Sequence, residues 1–145
     1  MLTIFTDSKF TVAPQEKNTG TFALIIDDQE IHAYAADIML RKYGLVSRTV
    51  VCHSACEALD FLTPITNPEN FPTYIFADIH MPEVTGFDFM DRYLLFPEDL
   101  RKNCTFIFLS SSKLPQDMEK LKDYQDKSVF LEKPLTKEKI ASVAR

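Results

Sequence analysis

FALIIDD, residues 22–28, is a run of five apolar residues that ends in two carboxylates. An unbroken apolar run of this length is typical of a strand buried on both faces, as in a parallel sheet covered by helices. Three later runs have the same form, at residues 73–77, 105–109 and 129–131. Asp78 and Ser110 directly follow the first two runs, and Lys133 follows the third after Glu132. The carboxyl ends of parallel strands share one edge of a sheet, so we expect these polar groups to meet there.

Helical patterns separate the runs. Ile31, Ala35, Ile38 and Met39 recur at helical spacing, and Gly44 is a stop signal for that helix. Residues 46–52 are rich in β-branched side chains and read as a further strand. Ser54 and Thr136 are candidate N-caps, Pro115 suits the first turn of a helix, and another helix is expected at residues 87–94. Strand and helix alternate five times, which predicts an α/β, doubly wound, five-stranded parallel sheet with helices on both faces.

The length and composition of the chain are typical of one globular domain. The chain has 145 residues, 46% hydrophobic and 26% charged, with a formal net charge of -5. A negative chain is not expected to bind nucleic acid directly or to adsorb on an anionic membrane. No apolar stretch approaches a membrane span and no signal peptide is recognised, so a cytoplasmic location is predicted. The three cysteines lack metal-site spacing and read as buried reduced thiols.

The first 20 residues differ in pattern from the rest of the chain. Residues 14–20 are polar and rich in turn formers, and the regular alternation begins only after them. Short strands are possible at Leu2–Phe5 and Phe10–Val12. The predicted organisation is an N-terminal extension, residues 1–20, and a folded domain, residues 21–145.

The polar groups at the strand ends suit a divalent cation and a phosphoryl group. Three carboxylates in a small volume repel one another, and Mg²⁺ removes that conflict through oxygen ligands. Each group alone has a simpler interpretation. Asp27, Asp28 and Asp78 could be helix caps or loop residues, Ser110 a turn residue, and Lys133 a solvated strand end. Their joint occurrence at the same end of different strands favours one site.

With these residues, the chain resembles the receiver domain of two-component response regulators, of the stand-alone CheY-like kind. The resemblance rests on four motifs and covers nearly everything after residue 20. They are Asp27-Asp28, Asp78-Ile79-His80-Met81-Pro82 with Gly86, Leu109-Ser110-Ser111, and Phe130-Leu131-Glu132-Lys133-Pro134. It implies the flavodoxin-like fold with strand order 2-1-3-4-5.

The resemblance also implies the acceptor and the metal ligands. Asp78 would be the phosphoacceptor, whose carboxylate attacks the phosphoryl group of a kinase's phosphohistidine. Asp28 and Asp78 would bind Mg²⁺ directly, Asp27 largely through water, and His80 through its backbone carbonyl.

Further roles follow from the same resemblance. Lys133 would neutralise phosphoryl charge, Ser110 would hydrogen-bond a phosphoryl oxygen, and Phe130 would be the aromatic residue that reports the switch. His80 and Ser112, each two residues after a site residue, would tune the lifetime of the acyl phosphate. The expected partners are a sensor histidine kinase or phosphotransfer protein and a downstream protein, and the only chemistry is the domain's own phosphorylation and dephosphorylation.

Other interpretations stay open. The chain could be a receiver fragment of a larger regulator or hybrid kinase. It could instead be a Mg²⁺-dependent aspartyl phosphatase, although such sites place a second acid two residues after the nucleophile. Here Gln29 and Glu30 lie two residues after Asp27 and Asp28, and no cap domain is recognised. A flavodoxin-like nucleotide module would need a glycine-rich first loop, and the chain has three glycines. A receiver that never becomes phosphorylated would not need the complete acidic set.

Overall fold

The structure is a computed structural model that describes residues 2–6 and 21–145, with side chains described in the second range. The strands are β1 (Leu2–Thr6), β2 (Phe22–Ile26), β3 (Arg48–Cys52), β4 (Tyr74–Asp78), β5 (Thr105–Ser110) and β6 (Val129–Glu132). The helices are α1 (Glu30–Lys42), α2 (Ala55–Leu62), α3 (Gly86–Tyr93), α4 (Glu98–Arg101), α5 (Pro115–Leu121) and α6 (Lys137–Val143). Short 3₁₀ turns lie at Pro68–Asn70 and Lys122–Tyr124.

The strands form one sheet in the order β1-β3-β2-β4-β5-β6. The five strands from β2 to β6 are parallel, and their arrangement is the predicted order 2-1-3-4-5. The predicted five-stranded parallel sheet is confirmed, and β1, at the possible strand Leu2–Phe5, adds a sixth strand. It pairs antiparallel with β3, with Leu2 opposite Cys52 and Thr6 opposite Arg48. The other possible N-terminal strand, Phe10–Val12, lies outside the described residues.

The sheet divides the core into two layers. On one face, alternate residues of the strands pack against α2 and α3, with Leu24, Ile75 and Phe106 fully or almost fully buried. On the other face, the residues between them pack against α1 and α6, including Ile25 and Phe76. Because the parallel strands are buried on both faces, their sequences are continuous apolar runs rather than alternating ones.

Helix α1 buries a different face from the one that the apolar spacing emphasised. Its buried residues are Ala33, Ala36, Asp37 and Leu40. Ile31 is 81% exposed, and Ala35 and Ile38 are also exposed. Small side chains let α1 approach the sheet closely, and Asp37 is accommodated because Arg41 and Thr49 donate hydrogen bonds to its carboxylate.

The helix boundaries follow the predicted caps. The Ser54 hydroxyl accepts from the Glu57 N–H, and Thr136 accepts from the Lys139 N–H. Pro115 is the first residue of α5, and Gly44 follows α1 with φ of 72°. The cap interpretation of the acidic pair fails, because the N-cap of α1 is Gln29. Helix α4 was not predicted, since four residues are too few to show a period.

The cysteines are free, and their environments differ from one another. Cys52 is buried, and burial raises the pKa of its thiol to about 12. Cys104 is partly buried, whereas Cys56 is exposed, so the expectation of three buried thiols was wrong for Cys56. Among the helices of residues 21–145, none is long and apolar enough to cross a membrane.

Candidate functional site

Three carboxylates meet at the carboxyl end of the sheet. Asp27 and Asp28 follow β2, and Asp78 is the last residue of the neighbouring strand β4. One ligand oxygen from each lies within 4.8 Å of the other two. Asp27 and Asp78 are buried, whereas Asp28 is exposed, so solvent reaches the cluster from the side of Asp28.

Backbone contacts fix the acidic residues. The Asp27 N–H donates to the carbonyl of Cys52 at 3.1 Å, which extends the pairing of β2 with β3 past the last strand residue. The Asp27 Oδ1 atom accepts from the Gln29 N–H at 2.9 Å, and this turn leads into α1. These contacts use the N–H and Oδ1 of Asp27, so Oδ2 is available to a partner from another element.

The side chain of Lys133, the residue after β6, reaches this carboxylate cluster. Its Nζ atom lies 2.7 Å from Asp27 Oδ2 and 3.3 Å from Asp78 Oδ1. A third contact, 3.0 Å long, joins Nζ to Nδ1 of His32 on α1. The Lys133–Pro134 peptide bond is cis.

The protonation of Asp78 reflects its surroundings. Burial raises the pKa of Asp78 to about 6, and the nearby Asp27 carboxylate adds to this rise. The Lys133 ammonium acts in the opposite direction but does not offset burial. Asp78 therefore carries its charge at neutral pH against an unfavourable environment, which a cation in contact with it would relieve.

The acidic cluster fits a hard divalent cation. When all three carboxyl groups are ionised, one ammonium leaves two negative charges without a neutralising partner in the cluster. Carboxylate oxygens with solvent access on one side are the donor set that Mg²⁺ accepts, since it keeps part of its water shell. Receiver domains generally bind Mg²⁺ at such an acidic pocket, and the residues present here fit that ion.

Ser110 ends β5, the strand beside β4, and its side chain is 2% exposed. Its hydroxyl oxygen accepts from the Ser112 N–H at 3.3 Å, and its carbonyl accepts from the Lys133 N–H at 2.8 Å. Ser110 is therefore hydrogen-bonded both to Ser112 in its own loop and to Lys133 after the neighbouring strand β6.

His80 contacts a residue of α5. Its Nε2 atom lies 2.5 Å from Oδ2 of Asp117 on α5, and the side chain of Asp117 is 7% exposed. This contact joins the loop after β4 to α5, and the side chain of His80 is 53% exposed.

Phe130 lies within β6, opposite Phe108 of β5. Its ring is partly buried and packs against the core layer that includes α2 and α3. Phe130 therefore belongs to the strand pair β5–β6, at whose carboxyl ends Ser110 and Lys133 lie.

The loop between β4 and α3 depends on a glycine. The Gly86 N–H donates to the Ile79 carbonyl at 2.8 Å. A Cβ atom at Gly86 would lie 2.5 Å from the Asp78 carbonyl oxygen and 2.9 Å from Ile79 Cα. No side chain fits there without moving the backbone that carries Asp78.

Sequence patterns did not identify two residues of this region, His32 and Asp117. His32 is four residues after Asp28, in the first turn of α1, and that spacing could have indicated a side chain near the same edge of the sheet. Asp117 gave no comparable signal, because only the fold brings α5 beside the loop that carries His80.

Residues 23–145 match the family of response regulator receiver domains, and the chain belongs to this family. It is a family of signalling domains, in which a CheY-like receiver is the part that accepts a phosphoryl group. The comparison with curated protein sequences returned no match.

Solved structures with the same fold support this assignment. A two-component response regulator from Cytophaga hutchinsonii is 24% identical, with a TM-score of 0.75 over 85% of this chain and 92% of that chain. A response regulator receiver protein from Dyadobacter fermentans is 26% identical, with a TM-score of 0.71 over 80% and 88%. The signal receiver domain of a signal transduction histidine kinase from Syntrophus aciditrophicus is 27% identical, with a TM-score of 0.66 over 84% and 85%.

Proposed function

We propose that this protein receives a phosphoryl group on Asp78 from the phosphohistidine of a partner histidine kinase or phosphotransfer protein. An Asp78 oxygen attacks phosphorus, the phosphorus–nitrogen bond breaks, and its electron pair stays on the donor's imidazole. Water later hydrolyses the acyl phosphate, which regenerates the carboxylate and releases inorganic phosphate. The observation that carries this proposal is the buried Asp78 carboxylate between two further acids and the Lys133 ammonium.

The residues around Asp78 would bind the metal ion and neutralise the charge of the phosphoryl group. Asp27, Asp28, Asp78 and the backbone carbonyl of His80 would hold Mg²⁺, which supplies positive charge against the phosphoryl oxygens. Lys133 would contribute a second positive charge, 3.3 Å from an Asp78 oxygen. Transfer of this kind needs positioning and charge neutralisation rather than a separate catalytic base.

The switch would begin at Ser110. A phosphoryl group on Asp78 adds negative charge beside Ser110 and Lys133, and the loop arrangement in which both donate to it becomes favoured. Because Phe130 pairs with Phe108 on the adjacent strand, movement of the Ser110 loop would be read at Phe130 and on the surface formed by α5, β6 and α6. A downstream protein would bind that surface.

His80 and Ser112 would tune the lifetime of the acyl phosphate. The contact of His80 with Asp117 supports such a role, because it fixes the imidazole two residues from the acceptor. Ser112 would act from the opposite side, through the loop segment in which its N–H donates to Ser110.

The domain boundaries belong to the same proposal. Residues 21–145 would form the receiver, and residues 1–20 an extension that contributes β1. A cytoplasmic location would suit a kinase partner. The same receiver could serve inside a larger regulator or hybrid kinase, as the receiver from the Syntrophus aciditrophicus kinase illustrates for that protein.

Intact-mass measurement tests the acceptor. After treatment with acetyl phosphate and Mg²⁺, the wild-type protein should gain one phosphoryl group, and Asp78→Asn should gain none. Asp60→Asn, an exposed position on α2, is the matched control and should label like the wild type. Labelling of Asp78→Asn would disprove the assignment, and multiple turnover of a phosphate ester would favour the phosphatase alternative.

A further inference from the structure

The Lys133 ammonium has an acceptor outside the carboxylate cluster. Its three contacts are Asp27 Oδ2 at 2.7 Å, Asp78 Oδ1 at 3.3 Å and His32 Nδ1 at 3.0 Å. An ammonium group has three N–H donors and no acceptor, so each contact takes one donor. Nδ1 of His32 must then be unprotonated, and the neutral ring carries its proton on Nε2.

His32 is well placed to hold the lysine. It lies in the first turn of α1, one residue before Ala33, which is buried against the sheet. Its half-buried ring lines a groove of about 280 Å³, together with Lys133, Pro134 and Ser111. The imidazole is thus carried by a packed helix, whereas Lys133 reaches the site through a long flexible side chain.

We propose that His32 is a positioning residue that directs the Lys133 ammonium to the phosphoryl group on Asp78. This inference rests on the proposed function. Two of the three acceptors of Lys133 belong to the site that changes during the reaction, because Asp78 becomes an acyl phosphate and Asp27 faces the cation. His32 lies outside the acidic cluster, and its acceptor remains available throughout.

The contact with His32 restricts the conformational freedom of the Lys133 side chain. Ordering a lysine side chain costs conformational entropy, which an acceptor on a rigid element offsets before the phosphoryl donor arrives. Without His32, the ammonium would keep one N–H undirected at the time when its carboxylate partners are engaged elsewhere. Phosphorylation should then slow, while binding of the donor itself is unaffected.

Three substitutions separate an acceptor role from a space-filling role. His32→Asn places an amide oxygen near the position of Nδ1, whereas His32→Gln extends its amide towards the position of Nε2. His32→Ala removes the acceptor. With acetyl phosphate and Mg²⁺, we expect His32→Ala and His32→Gln to label Asp78 about three- to tenfold more slowly than the wild type, as loss of one hydrogen bond predicts. His32→Asn should label at close to the wild-type rate.

A measurement without metal or phosphodonor tests the contact itself. In the ¹⁵N NMR spectrum of the metal-free protein, His32 should show an unprotonated Nδ1 and a protonated Nε2. Lys133→Met keeps the length of the side chain but removes the ammonium, and the preference of His32 for this tautomer should weaken.

Equal labelling rates in His32→Ala and the wild type would overturn the inference, as would equal slowing in all three variants. A protonated Nδ1 in the wild-type spectrum would also overturn it, even if the variants folded poorly. The proposed function fails differently, because then the wild-type protein itself would gain no phosphoryl group.

Discussion

At the scale of single residues, Asp78 is a buried carboxylate that lies close to a second carboxylate, Asp27. Its pKa is raised to about 6, from an ordinary value of 3.8, because burial and Asp27 together outweigh the attraction of Lys133. The ionised carboxylate is therefore less stable in the folded protein than in the unfolded chain. The same destabilisation makes the group responsive to a cation, which stabilises the ionised form, and to a phosphoryl group, which bonds to the carboxylate oxygen.

This pKa has a consequence for stability that Asp78→Asn should reveal. Between about pH 4 and pH 6 the folded state binds more protons than the unfolded state, so this group lowers stability as the pH rises through that window. The loss is on the order of 3 kcal/mol and is nearly complete by about pH 7. Without divalent cations, Asp78→Asn should be more stable than the wild type at pH 7.5, with the difference shrinking towards pH 4.

Urea denaturation in the presence of a chelator, from pH 4 to pH 8, measures this difference. Asp60→Asn serves as the control and should show no pH-dependent gain. A difference between Asp78→Asn and the wild type that stays constant over the whole range would mean that the Asp78 pKa is not raised by folding.

His80 and Asp117 form a second residue-scale unit. If Asp117 holds the His80 ring where it controls access of water to the acyl phosphate, loss of either residue should change the lifetime by a similar, several-fold factor. The double variant His80→Ala/Asp117→Ala should then behave like His80→Ala alone, because interacting residues are not additive. Decay of phosphorylated protein, followed by intact mass, gives the four rates. Additive effects would show that the two residues act independently.

At the scale of elements, strands were predicted more accurately than helix faces. Apolar runs identify the parallel strands, because burial on both faces leaves no polar positions within them. The polar residues at the strand ends were equally informative, and the cluster of Asp27, Asp28, Asp78 and Lys133 follows from sheet order alone. Contacts between side chains of distant elements, such as His80 with Asp117 of α5, have no sequence period and were not predictable.

Helix α1 shows why the buried face of a helix was predicted less accurately than the strands. Ile31 and Ile38 are exposed, whereas the buried positions are taken by two alanines, Asp37 and Leu40. Because three of these four buried side chains are small or charged, hydrophobicity alone selects the wrong face. The exposed fraction of Ile31, 81%, cannot be inferred from its type.

Helix α3 supports a prediction because its first residue touches the site. In Gly86→Ala, the added methyl group would meet the Asp78 carbonyl oxygen, so the loop must move. We expect a loss of about 2 kcal/mol in unfolding free energy, together with slower phosphorylation of Asp78. Gly44→Ala is the matched control. It suffers only the strain of its positive φ, which costs about 1 kcal/mol, and has open space around the new methyl group.

Chemical denaturation and acetyl phosphate labelling distinguish the two glycine variants. Gly44→Ala should lose stability and keep the wild-type labelling rate, since Gly44 lies beyond the other end of α1. If Gly86→Ala labels at the wild-type rate, the backbone of Asp78 tolerates displacement and the glycine has a purely structural role.

At the scale of the whole molecule, the site belongs to no single segment. Lys133 and Asp27 are 106 residues apart in the chain and meet only because β6 and β2 lie in one parallel sheet. The sheet also explains the place of β1. Without it, β3 would be an edge strand, with a row of backbone N–H and C=O groups open to another chain. Strand β1 covers that edge with five paired residues.

Removal of residues 1–20 tests both the domain boundary and this covering role. If residues 21–145 are a complete receiver, the shortened chain should still fold and label Asp78 at the wild-type rate, because β3 separates β1 from the strands that carry the site. Its unfolding free energy should fall by about 1–3 kcal/mol, since strand pairing with β3 is lost. The exposed β3 edge should also cause association that increases with protein concentration, measured by light scattering during size-exclusion chromatography.

The matched control is a full-length chain with Ile4→Pro. Proline has no N–H and disfavours pairing at the centre of β1, where Ile4 lies opposite Val50, but it leaves the length of the chain unchanged. This variant should share the stability loss of the truncated protein. If both variants stay monomeric and as stable as the wild type, β1 does not protect the β3 edge. If truncation abolishes labelling of Asp78 while Ile4→Pro does not, the receiver begins before residue 21, because the two variants would then differ in more than strand pairing.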